Sequence, residues 1–168
     1  MTNRVYLLRH AKAKFAEPGI KDFDRALDKT GLRDAQATGR EMRQQQYLPD
    51  LVLFSPAKRA KQTWTAVAAA FEKEPESKAI PELYDQDAAG YLQIIRNTTN
   101  VASLMLVGHN PMMEDLALVL ARAGDSLADQ IQRAGFPTSG LAVLEFDNAL
   151  AHISEGSGRI VHLLKPAD

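Results

Sequence analysis

The stretch Ser103-Leu104-Met105-Leu106-Val107-Gly108-His109-Asn110-Pro111 is a short apolar run that ends abruptly in glycine, histidine, asparagine and proline. A run of this length, bounded by turn residues, predicts a strand buried on both faces, as in a parallel sheet. Pro111 suits the first position of a following helix, expected to continue to about Ala123. The same change from strand to helix recurs on both sides. Val5 to Leu8 predicts a buried strand that ends at Arg9-His10, and a polar stretch from Ala13 to Lys29 predicts a loop. Thr30 is expected to cap a helix running to about Gln46, with Leu32, Ala35, Ala37 and Met42 among its less polar positions. Asp50 to Ser55 predicts a second strand, followed by an alanine-rich helix from Ala57 to Glu72 that stops before Pro75.

Further along, Lys78 to Ile80 predicts a short strand and Ala88 to Asn97 a helix, with a loop holding Asp85 and Asp87 between them. Leu141 to Phe146 and Arg159 to Leu164 predict two more strands with no helix between, hence an antiparallel edge. Strands alternating with helices predict one three-layer α/β/α domain over residues 1–168, with a mostly parallel sheet.

Composition narrows the classes of function. Charged residues make up 24% of the 168, yet the formal net charge is only −1, which argues against a general nucleic-acid binder. The absence of cysteine excludes disulfides, thiolate metal sites and a cysteine nucleophile. No segment approaches the roughly 20 apolar residues needed to span a bilayer, and Val5 to Leu8 is too short for a signal-peptide core. The expected location is the cytoplasm, with no membrane partner.

Ligands of open α/β sheets bind at the carboxyl ends of the strands. Three predicted strands end in reactive residues: Arg9-His10, Ser55 to Arg59, and Gly108-His109. Two arginines and two histidines then converge on one rim, a set suited to a dianionic phosphoryl group. Each has an ordinary explanation when taken singly. Arg59 on an early helical turn is commonly a solvated charge, and His152 and His162, without metal-ligand spacing, are expected to be structural or exposed.

Leu7-Leu8-Arg9-His10-Ala11 resembles the signature of the histidine phosphatase superfamily, whose fold is called phosphoglycerate mutase-like. Ser55-Pro56-Ala57-Lys58-Arg59-Ala60-Lys61-Gln62-Thr63 is similar to that family's second motif, and Val107 to Pro111 to its third. Phe136 to Leu144 resembles the compact SixA branch, which lacks a large lid insertion and whose substrates include phosphohistidine on protein domains. The resemblance implies a phosphatase with His10 as nucleophile and with Arg9, Arg59 and His109 binding the phosphoryl oxygens. It implies neither metal nor other cofactor, and a phosphorylated protein or a small phosphoester as partner.

For the general acid, the resemblance points to Asp85, at the spacing of the family's glutamate, and secondarily to Glu82. Ala11, Ala13 and Ala16 depart from the mutase-type branch and remove hydrogen bonds expected for a sugar or glycerate phosphate. Lys12, Lys14 and Lys21 are available to steer an acidic partner, although a solvated loop face is the commoner role for such residues. Two other functions compete: a phosphatase for a small phosphoester such as a sugar phosphate or nucleotide, and a non-catalytic phosphohistidine-binding or phosphate-binding module.

Overall fold

The computed structural model describes residues 2–167, and its six strands form one sheet. β1 (Asn3–Arg9), β2 (Leu51–Phe54), β3 (Glu76–Ala79) and β4 (Ser103–Gly108) are mutually parallel, in the order β3-β2-β4-β1. β5 (Leu141–Phe146) runs antiparallel to β1, and β6 (Arg159–Leu164) antiparallel to β5. The antiparallel edge therefore sits where no α-helix separates two strands, only a 3-10 turn at Leu150–His152. β1 and β4 lie inside the sheet, and their central residues, Val5 to Leu8 and Leu104 to Val107, are apolar and buried because helices cover both faces.

Side chains of alternate residues go to opposite faces of the sheet. Val5, Leu7, Leu104 and Leu106 pack on one face with α4 (Ala88–Arg96), α5 (Met112–Leu120) and α6 (Ser126–Ala134). Tyr6, Leu8, Met105 and Val107 pack on the other with α1 (Lys29–Gln44) and α2 (Lys58–Ala68). The result is the three-layer α/β/α arrangement of the phosphoglycerate mutase-like fold. One short helix, α3 (Glu82–Asp85), follows β3.

Several element ends differ from the sequence expectation. α1 is capped by Asp28, whose carboxylate accepts the Gly31 N–H at 2.7 Å, so Thr30 lies inside the first turn. The helix stops at Gln44, and Gln46 adopts a left-handed φ of 61°. α2 ends at Ala68 and α5 at Leu120, each shorter than expected, and β3 begins two residues before Lys78. Pro111 precedes the first residue of α5 rather than occupying it. α6 was not expected at all: Asp125 caps it by accepting the Leu127 and Ala128 N–H groups. Among the described residues no helix is long and apolar enough to cross a membrane.

Candidate active site

The parallel register brings the reactive residues to one rim. Arg9 pairs with Gly108 across β1 and β4, and the His10 N–H donates to the Gly108 carbonyl at 2.9 Å. Ser55, just past β2, donates its N–H to Val107 at the same distance. His109 thereby sits between His10 and Ser55. Glycine at 108 leaves room for the Tyr91 hydroxyl and Met113 Cε, which a Cβ there would meet at 2.7 Å and 2.9 Å. Arg59 arrives from the first turn of α2 and is 6% exposed, so the solvated-charge explanation for it is wrong.

His10 is held in one tautomer. Its Nδ1 lies 2.7 Å from the Ala11 carbonyl oxygen, which can only accept, so Nδ1 carries the hydrogen and Nε2 keeps a free lone pair. Thr63 ties this turn to α2: its Oγ1 accepts the Ala11 N–H at 2.9 Å and donates to the Arg59 carbonyl at 2.7 Å. The left-handed Ser139 (φ 57°) donates its N–H to the His10 carbonyl. Burial above all, with help from Arg59 and Arg9, lowers the His10 pKa to about 4, against the opposing pull of the Ala11 hydrogen bond. Burial, then His10 and Arg59, lowers His109 to about 3. Both rings, 5.2 Å apart, are neutral at pH 7.

Arg9 donates Nη1 to the Phe136 carbonyl at 2.8 Å. Arg59 donates Nη1 to the Asp22 carbonyl at 2.8 Å and Nη2 to Asp22 Oδ2 at 3.1 Å. Each arginine is thus anchored by its tip while its Nε is left over. Among the described residues, the buried side-chain polar atoms without a partner are Arg9 Nε, Arg59 Nε and His109 Nδ1. A stranded buried donor costs about 1–3 kcal/mol, and native folds keep few of them. All three nitrogens belong to residues grouped around His10.

These residues line a cleft of about 630 Å³ together with Phe15, Asp22, Arg25, Tyr84, Asn110 and Thr138, among others. Glu82 and Asp85 are exposed and do not line it. The carboxylate that does is Asp22, which the sequence reading left in an undifferentiated loop. Burial alone would raise its pKa, but hydrogen bonds from Tyr84 (3.0 Å) and Arg59, with Arg25 on its other oxygen, hold it at about 2. Tyr84 was also missed, although it stands directly before Asp85. Its ring packs edge-on to both His109 and Phe23. His162 pairs through Nδ1 with the Tyr47 hydroxyl at 2.9 Å, and His152 is exposed, both away from the cleft.

A neutral imidazole with a free lone pair, ringed by guanidinium groups, is equipped for attack on phosphorus. Residues 5–135 match the histidine phosphatase superfamily (branch 1), and the chain belongs to that family. SixA from Agrobacterium tumefaciens, a candidate phosphohistidine phosphatase, is 40% identical with a TM-score of 0.84, covering 98% of this chain and 99% of that one. The protein histidine phosphatase SixA complexed with tungstate shares the fold, with a TM-score of 0.78 at 23% identity over 97% of each chain. An uncharacterized protein of Mycobacterium tuberculosis is 33% identical over 92% of this chain and 96% of its own length. Within the superfamily the chain is SixA-like, and its class of activity is that of a phosphatase.

Proposed function

We propose that the protein hydrolyses phosphohistidine on a partner protein, without a metal, through a phosphohistidine formed transiently on its own His10. The observation that carries this reading is the neutral, tautomer-fixed His10 beside three buried nitrogens that have no protein partner. In the first step His10 Nε2 bonds to phosphorus as the phosphorus–nitrogen bond of the substrate breaks. A substrate imidazole protonated on its other nitrogen leaves as neutral imidazole, so no proton need be supplied. Water then attacks phosphorus, the bond to His10 breaks, and inorganic phosphate leaves. Arg9, Arg59 and His109 stabilise the nonbridging oxygens in both steps.

Two features favour a phosphorus–nitrogen substrate on a macromolecule. The carboxylate of the cleft, Asp22, is held ionised, and Glu82 and Asp85 stand outside, so no carboxylic acid is poised to protonate an alkoxide. Phe15 lines the same cleft and is 88% exposed, an apolar side chain left uncovered at its mouth. A protein carrying the phosphohistidine would cover it; a small metabolite would not. The proposal assigns no role as general acid to Asp85 or Glu82.

The test is steady-state turnover of a phosphohistidine-bearing protein domain beside a small aryl phosphate, by the wild type and Phe15→Ala, with and without a chelator. The expected result is a higher kcat/KM for the phosphoprotein, lowered about tenfold in the variant while aryl phosphate turnover stays level, and no effect of chelator. Aryl phosphate or metabolite turnover that exceeds phosphoprotein turnover would move the substrate to small phosphoesters. Tight phosphate binding with no turnover of any substrate would favour the binding module.

A further inference from the structure

We propose that Ser55 is a positioning residue that fixes the proton of His109 on Nδ1, so that this imidazole offers a hydrogen rather than a lone pair to the phosphoryl oxygens. The proposal rests on reading the cleft as a phosphoryl site. Ser55 is fully buried, and its Oγ has two neighbours: it accepts the Ala57 N–H at 3.2 Å and lies 2.8 Å from His109 Nε2. A serine hydroxyl has one hydrogen to place, and in a dry site that hydrogen needs an acceptor. The Ala57 amide can only donate. His109 Nε2 is therefore the atom left to receive the hydroxyl hydrogen, and it must be unprotonated.

A neutral imidazole has one N–H, which then falls on Nδ1, the nitrogen without a protein partner. The opposite tautomer fails twice. It would crowd two donors onto Ser55 Oγ while stranding the serine's own hydrogen, and it would turn the Nδ1 lone pair toward oxygens of the same sign. The Ser55 N–H bond to Val107 and the β2–β4 register place the serine beside His109 as part of the sheet. His10 and His109 thus share a tautomer but use it oppositely. In His10 the backbone takes Nδ1–H and frees the Nε2 lone pair; in His109 a serine occupies Nε2 and frees Nδ1–H.

Long-range proton–nitrogen correlation spectra of the full-length protein, ¹⁵N-labelled at histidine and free of phosphate at pH 7, read the tautomer directly. The wild type is expected to show His109 protonated on Nδ1. Ser55→Ala should move population to Nε2–H and lower kcat on an aryl phosphate by about ten- to a hundredfold, the weight of one hydrogen bond to a charged group. Ser55→Thr, which keeps the hydroxyl, should keep the Nδ1–H form. A wild type protonated on Nε2 would overturn the proposal. So would a Ser55→Ala protein that loses activity but keeps Nδ1–H, since Ser55 would then serve the turn alone. If Ser55→Ala does not fold, the wild-type spectrum decides. A wild type with no turnover would count against the phosphatase reading while leaving the tautomer result intact.

Discussion

His10 loses almost all contact with water when β1 pairs on both sides, and two arginines then close around it. Both effects oppose the imidazolium, but burial is the larger, so the His10 ring stays neutral even where the arginine charges are screened. Arg59 does two things at once on the proposed function: its tip nitrogens hold the Asp22 carbonyl and carboxylate, and its Nε, without a partner in the protein, is left for the phosphoryl group. A lysine has one compact charge and cannot serve both sides of a planar fork. Arg59→Lys is therefore expected to lower kcat/KM on an aryl phosphate by about ten- to a hundredfold with an unchanged circular dichroism spectrum. A loss under about twofold would contradict this reading of the residue. That Arg9, His10, Arg59 and His109 meet in one cleft was legible because each stands at a strand end or on the helical turn after one. Asp22 was not, since its value comes from meeting an arginine 37 positions away.

The two helices on one face of the sheet meet at Gly39, where a Cβ would lie 2.5 Å from the Val67 carbonyl oxygen. Alanine gains about 1 kcal/mol in helix propensity over glycine, but backbone at that distance cannot give way like a flexible side chain. Gly39→Ala is expected to be destabilising by about 1–3 kcal/mol, the usual cost of overpacking, as measured by urea unfolding. A stabilised variant would mean that propensity outweighs the helix contact. The same contrast between local and tertiary terms explains which elements the sequence revealed. The apolar strands and the alanine-rich α2 announce themselves by pattern. α6 does not: Ile131 is its one fully buried residue, and its start is set by the side chain of Asp125. At α1 the cap falls two residues before Thr30, because the Asp28 side chain accepts the Gly31 N–H.

Burying two neutral histidines makes the whole fold sensitive to acid. Below about pH 6.5 the unfolded chain protonates both rings, whereas the folded one resists until about pH 4 at His10 and about pH 3 at His109. The unfolded state then binds more protons, so stability falls as pH falls, by up to about 1.4 kcal/mol per pH unit for each histidine. The Tm of the wild type is expected to drop between pH 7 and pH 4 more steeply than that of His109→Gln; equal slopes would contradict the buried-neutral assignment. The open mouth of the cleft and the arginines and histidines inside it belong to the same molecule-wide arrangement, in which the sheet delivers reactive residues to one edge and a loop bearing Phe15 and Asp22 completes it. On the proposed function, that edge acts through covalent chemistry at His10. Brief reaction with a phosphohistidine-bearing protein, an alkaline quench that preserves phosphorus–nitrogen bonds, and peptide mass spectrometry would test this most directly. A phosphoryl group on His10, absent in His10→Ala, is the expected result; turnover with phosphate never found on His10, or undiminished in His10→Ala, would contradict it.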